Sequence, residues 1–476
     1  MKKLLSLALA LLLVAGLVPL TMRAEQAPVK WVSLGGGMPD NYDSWKAKVD
    51  AYTTEKIGVT LDADILSWGA YGDRRNAIIN GGEYFDIIFT DGGSYAADIA
   101  KGVLLDIKPL LDQVPALRDV VPASFWDAIT IEGKIYAVPT LKDSALAHFF
   151  VFDPEVMGAL GIDVEGVNTL ADLDPIFRKM KEGAEGVAPI ESPFKLNKGG
   201  AYHMLDVYDG AGVGVPVLGV RYDDQERKVV SIFETEEIMD NLRLLHTWYN
   251  DGIINADAAT LAESGSNLPF YVAQGWAGAW TYTKEDADTK ETRTYTGLTQ
   301  PFIGPISSAG TIMGSMNGVY AGAKNPEKVM AFLELVNTDT KLRDMICYGE
   351  EGVNFEYVDG LVEQNPDMPW PWARYTQANH AILTPTTANP DLFSGISYVN
   401  DNAVPSVLMG FNLDRSSLEN ELALIKAVYE KYLSEVITGT VAPEEIVPEM
   451  IEEMNAVGLQ KVKDEFQRQV DAAFAE

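Results

Sequence analysis

One cysteine in 476 residues, Cys347, excludes an intrachain disulfide. It also makes thiol catalysis a poor reading. A reactive thiolate needs a base or a positive charge close by, and the four histidines (His148, His203, His246 and His380) are scattered, none near Cys347. The neighbouring Glu350 and Glu351 would raise a thiol pKa, not lower it. Cysteine and histidine have no spacing that suits zinc, and no HExxH, GxSxG or phosphate-loop pattern occurs. The expectation is therefore a chain that needs no metal and no cofactor. Gly210-Ala211-Gly212-Val213-Gly214 lacks a third glycine at the right spacing and the strand–turn–helix context of a dinucleotide turn.

Positive charge is the second shortage. Lys and Arg number 37 against 69 Asp and Glu, for a net charge of −32. Nucleic acid and anionic lipid, which both require basic patches, are disfavoured as partners. With 69 acids, no particular pair of carboxylates stands out as the acid and nucleophile of a glycosidase.

The N-terminus has a distinct composition. Lys2 and Lys3 precede a largely apolar stretch from Leu4 to Leu20, and Ala24 stands before Glu25. This layout predicts a cleaved signal peptide over residues 1–24, with an apolar core short of a membrane span. Met22 is not the small residue that a cleavage site prefers. Val14-Ala15-Gly16 usually precedes a lipid-modified cysteine, but Leu17 occupies that place. An exported chain without disulfides fits a bacterial envelope protein. The remaining length, with 47% hydrophobic residues overall, predicts two domains with separate cores.

Residues 28–141 alternate strand and helix. Strand-type runs at Val29–Leu34, Val59–Leu66 and Phe85–Phe89 alternate with helical patterns after Asn41 and around Arg74–Asn80, the latter ending at Gly81-Gly82. This is the pattern of a parallel α/β layer, whose ligands bind beyond the carboxyl ends of the strands. The loops at 35–41, 67–73 and 90–95 become candidates, with Asp40, Trp68, Tyr71, Asp91 and Tyr95 in them. Further strands are expected at Lys134–Pro139 and Leu146–Phe152. Helices are expected from Asp153-Pro154, over 169–182 and 235–250, from Asn325-Pro326, and over 416–438 and 443–474.

Aromatics are the informative excess, with nine Trp and 20 Tyr. Trp68, Tyr71, Tyr95, Trp276, Trp280, Trp370, Trp372 and Tyr375 lie in polar or glycine-rich stretches, where a planar face can stack on a sugar ring. For each of them, lobe packing competes with ligand contact. Trp31, Trp45, Trp126 and Trp248 follow strand or helix patterns and are assigned to cores.

YFDIIFTDGGSYAADIAKGVLLDI (84–107), EGKIYAVPTLKD (132–143), the block from Asn325 to Gly360, VLMGFNLDRSSLENELALIKAVYEKYL (407–433) and GLQKVKDEFQRQVDAAF (458–474) follow one another in a shared order. In this order the chain resembles the extracellular solute-binding proteins of carbohydrate ABC transporters. This family includes maltose-binding protein, and the likeness is to its Gram-positive oligosaccharide-binding lipoprotein branch. The resemblance implies a two-lobe, class II periplasmic-binding-protein-like α/β fold with a hinge and an interlobe cleft. It implies a sugar ligand, permease subunits as partners, no enzyme activity, a monomer, and an extracellular or cell-envelope location of the Gram-positive type. Lobe 1 is expected from 28–141 and 305–360, and lobe 2 from 142–304 and 361–476.

Carried over by motif, Asp91 is the polar sugar contact and Trp280 the stacking ring, with Trp276 its rival. Trp68, Tyr71, Tyr95, Asp40, Lys142, Trp372 and Tyr375 complete the expected ligand set. Cys347 becomes a buried small residue at a helix end. The missing lipobox cysteine is the departure from the branch. A secreted glycoside hydrolase or lyase and a peptide-binding transporter component are the competing readings.

Overall fold

The computed structural model describes residues 28–265, 267–285 and 289–475. The expected signal segment at 1–24 lies outside them. Among the described residues, no helix is long and apolar enough to cross a membrane.

The first unit is built on a five-stranded sheet in the order Leu61–Ser67, Val29–Gly35, Ile87–Thr90, Met316–Val319, Ala137–Pro139. The first three strands run parallel, and Met316–Val319 is antiparallel to both its neighbours. Helix Tyr42–Ile57 turns Trp45, Val49 and Thr53 into the core and stops at Gly58, whose φ of 64° is left-handed. Asn41 precedes this helix but does not cap it with its side chain. Its amide donates to Asn354 (2.7 Å) and Glu350 (3.3 Å), tying the helix start to the 350–354 turn. Helix Pro326–Thr338 buries Val329, Phe332, Leu333 and Val336 in this same core.

The second unit has a mixed sheet in the order Val404–Pro405, Leu298–Ser307, Leu146–Phe152, Phe270–Gln274. Pairing is antiparallel except at the short Val404–Pro405 edge. Its core runs from Phe150 to Phe270 and resumes from Leu408 to Val470. The helix expected over 443–474 is two helices, Pro443–Ala456 and Leu459–Ala473. The break is Gly458, at φ 112°, where a Cβ would sit 2.7 Å from the Glu421 side chain.

Packing carries the first unit past the expected boundary at 360. Trp372 is 3% exposed. Its ring lies 4.8 Å from Trp31 and 6.1 Å from Trp45, and its Nε1–H donates to Ser33 Oγ (3.0 Å). Ala378 belongs to the same core. Cys347 is buried beside Tyr348, Phe355, Val362 and Leu383, and burial pushes its thiol pKa up.

Candidate functional site

Three chain segments pass between the units, and they are bonded to one another. Asn400 Oδ1 accepts from the Ser144 and Ala145 amides (2.9 and 3.1 Å), while its Nδ2 donates to the Lys142 carbonyl (2.6 Å). The Thr140 amide donates to the Ser315 carbonyl (3.0 Å), and the His380 amide to the Leu141 carbonyl (2.7 Å). Ser315 Oγ in turn donates to the Tyr375 carbonyl (2.6 Å). Beside this crossing lies a cavity of about 490 Å³ lined by residues of both units.

The wall from the first unit is aromatic. Tyr375 lines the cavity, and its ring lies near-parallel to Trp68, with centroids 6.1 Å apart at 23°. Trp68 is 56% exposed, so this pair offers a broad apolar face to solvent. Behind it, Phe89 meets Tyr375 edge-on at 6.2 Å, and Tyr71 donates its hydroxyl to the Phe89 carbonyl (2.7 Å). Asp91 ends the strand Ile87–Thr90 and caps the helix Gly92–Ala100, accepting from the Ser94 amide at 3.0 Å. Its charge helps burial to raise the pKa of Tyr375. Gly310, Thr311 and Gly314 close the same side.

The wall from the second unit holds the cavity's carboxylates together with two further rings, Tyr208 and Tyr222. Asp206, Asp209, Tyr222 and Gln274 line it. Asp206 accepts from His148 Nε2 at 2.7 Å, and His148 is fully buried. Asp209 accepts from Ser406 Oγ (2.6 Å) and the Ala211 amide (2.8 Å), and burial raises its pKa. Gly210, Ala211 and Gly212 give this wall its shape, with left-handed φ values of 44° at Ala211 and 81° at Gly212. Lys142 sits at the crossing, its Nζ on the Asp143 carboxylate (3.3 Å).

Of the ten expected ligand residues, the structure gathers five at or beside the cleft: Tyr375, Trp68, Tyr71, Asp91 and Lys142. Two are core residues. Trp372 is buried as described, and Tyr95 is 1% exposed, with its hydroxyl between the Ile129 carbonyl and the Tyr136 amide (both 3.0 Å). A ring surrounded by protein on all sides cannot stack on a ligand. Asp40 is exposed in the loop after Val29–Gly35 and is not among the cavity's lining residues.

Trp280 packs with Tyr271 and Tyr295 against Val151, Ala273 and Tyr282. Trp276 packs against Ala147, Phe149 and Val399 and lines a separate cavity with Tyr398. Sequence reasoning missed Asp206, Asp209, Tyr222 and Gln274. The glycine run at 210–214 was the available signal, and it forms a turn in the cleft wall instead of a nucleotide loop.

Among the described residues, no cluster of His, Cys, Asp and Glu is arranged to hold a metal. The available chemistry is apolar stacking, on Tyr375 from one unit and on Tyr208 and Tyr222 from the other, and hydrogen bonding to the fixed carboxylates of the second unit.

Residues 35–341 match the family model of the bacterial extracellular solute-binding proteins, and residues 407–475 match a domain of unknown function. The chain is 27% identical over 457 residues to a carbohydrate ABC transporter substrate-binding protein of Streptococcus pneumoniae, covering 92% of this chain and 89% of that one. It is 23% identical over 349 residues to the lipoprotein LipO of Bacillus subtilis, covering 68% and 66%. Among solved structures it superposes on the N-glycan transport solute-binding protein NgtS of Streptococcus pneumoniae with a TM-score of 0.79, at 24% identity, covering 94% and 99%. The TM-score is 0.71 for NgtS with Man1GlcNAc, at 24% identity over 93% and 98%, and 0.68 with Man5GlcNAc, at 25% identity over 94% and 98%.

Proposed function

Because the chain belongs to the bacterial extracellular solute-binding proteins, we propose that its cleft captures an oligosaccharide for an ABC importer, the two lobes closing on the ligand before membrane permease subunits receive it. The carrying observation is the pairing of unlike walls across one cavity. Tyr375, stacked on the exposed Trp68 beside the cavity, supplies a stacking face from lobe 1, and Asp206 and Asp209 supply acceptors from lobe 2. A sugar ring needs both, an apolar face against its C–H groups and fixed acceptors for its hydroxyls. His148, Ser406 and the Ala211 amide each hold one of those carboxylates in place, so little ordering is left to do on binding.

Lobe 1 is drawn as 28–139 with 309–380, and lobe 2 as 146–307 with 404–475. The lower agreement with the two glycan-bound structures fits an open form separated from a closed one by the crossing segments. We read the protein as a binder and not a hydrolase. Asp206 and Asp209 stand on the same wall, each already bonded to its own partner, whereas glycoside cleavage takes carboxylates flanking the scissile bond. A peptide ligand is disfavoured because the lining offers its carboxylate no guanidinium, and Lys142 already faces Asp143. Export to an extracellular or cell-envelope location and a monomeric state complete the reading.

A thermal-shift panel of oligosaccharides, Man1GlcNAc and Man5GlcNAc among them, against di- and tripeptides tests it. A ligand at 100 times its dissociation constant adds about 2.7 kcal/mol of stability. Stabilisation by a saccharide is expected, and stabilisation by peptides alone would refute the reading. Release of shorter sugars from a bound glycan would refute the non-enzymatic part.

A further inference from the structure

We propose that a second saccharide groove adjoins the cleft, lying wholly on lobe 2, and that it takes the sugar units of a glycan that extend beyond the cleft. The proposal rests on the cleft reading above. A cavity of about 770 Å³ is lined only by residues between Phe194 and Tyr282. Tyr202 is its most exposed aromatic, at 45%. One face of that ring is covered by His203, with centroids 3.9 Å apart at 27°, which leaves the other face for a ligand. Tyr271 adds a second, half-buried ring.

Polar groups of both signs surround these rings. Lys195 and Glu263 are exposed and form no ion pair among the described residues. His203 Nδ1 is buried with no hydrogen-bond partner among them. Burial and the adjacent His148 lower the His203 pKa to about 3, so its imidazole stays neutral, with one donor and one acceptor. A sugar hydroxyl, itself a donor and an acceptor, can pair with either kind of group. An apolar ligand would leave this polar rim unpaired, and a strongly charged one would meet opposite signs together.

The groove and the cleft share no lining residue but stand on either side of buried His148. Only the turn Tyr202–Leu205 separates Tyr202 from Asp206. His148 touches both sides, its Nε2 on Asp206 at 2.7 Å and its ring 4.5 Å from His203. Strand Phe270–Gln274 gives Tyr271 and Val272 to the groove and Gln274 to the cleft. Tyr202 lies four residues before Asp206, so in this proposal a glycan extending over the Asp206 edge of the cleft reaches Tyr202. Because every lining residue is on lobe 2, the groove exists whether or not the lobes close, and a short ligand confined to the cleft does not use it.

Calorimetry with Man1GlcNAc and Man5GlcNAc on wild type, Tyr202→Ala and Tyr202→Phe tests this. The expected result is a roughly tenfold loss for the longer glycan in Tyr202→Ala, none for the shorter, and wild-type binding of both by Tyr202→Phe. Unchanged affinity for Man5GlcNAc in Tyr202→Ala would overturn the groove alone, and so would equal losses for both glycans. Wild-type protein that binds neither glycan would contradict the cleft reading, and the groove with it.

Discussion

The two walls of the cleft differ as the two lobes differ. Lobe 1 is a mixed sheet whose three parallel strands deliver loops to one edge, and rings gather there: Trp68, Tyr71 and the Tyr375 that packs among them. Lobe 2 is largely antiparallel around a larger core, and its wall is made of turns that hold carboxylates, Asp206 and Asp209. Rings need only a face and tolerate sliding, whereas acceptors need fixed positions. The stabilising partners follow the same division. Behind the rings stand other rings, Phe89 among them, and behind the carboxylates stand His148, Ser406 and a backbone amide.

Mutations in each lobe can sharpen or break this contrast. The largest effect is expected for Trp372→Ala, which empties the tryptophan cluster of lobe 1 and should cost about 3–5 kcal/mol in a denaturant titration. A stable variant with lost binding would instead return Trp372 to the ligand set.

Trp280→Ala comes next, at about 2 kcal/mol, because its ring is only partly buried against Tyr271 and Gly275. Its melting temperature should fall while glycan affinity holds. Lost affinity at an unchanged melting temperature would make Trp280 a stacking residue after all.

Asp91→Ala removes the cap accepted from Ser94 and should cost about 1 kcal/mol of stability. A variant as stable as wild type would show that the cap contributes little.

The last effect is a pH slope on lobe 2. The His203 pKa is lowered from its ordinary 6.5 to about 3 in the folded chain. The unfolded state therefore takes up a proton that the folded state refuses as pH falls from 6.5 toward 3, and the stability that His203 contributes above 6.5 is lost across that window. His203→Gln should flatten the fall in melting temperature between about pH 7.5 and about pH 4.5 relative to wild type. An unchanged slope would show that folding does not lower the His203 pKa.

Lobe 1 was legible because period-two strands and capped helices follow each other at short range. Its parallel strands fall within a few residues of their expected positions, the antiparallel Met316–Val319 was not expected, and Asp91 and Trp68 became candidates because ligands favour the loops at strand ends. Lobe 2 was harder to read. Strands such as Tyr208–Asp209 and Val230–Ser231 are two residues long and carry no period. Asp206 and Asp209 were two acids among 69. What distinguishes them is contact with His148 and Ser406, at sequence separations of 58 and 197, which no local pattern encodes. Tyr95 and Trp372 failed for a related reason. Both lie in polar stretches, yet partners distant in sequence, Ile129 and Ser33, satisfy their polar atoms inside a core.

The most direct test of a cleft with one stacking wall and one accepting wall is a calorimetric titration of Man5GlcNAc into wild type, Tyr375→Ala, Asp206→Ala and the double variant. Each single variant should lose roughly 1–3 kcal/mol, about ten- to a hundredfold in affinity, and the double variant should lose more than either. Wild-type affinity in either single variant would remove that wall from the site and contradict the account.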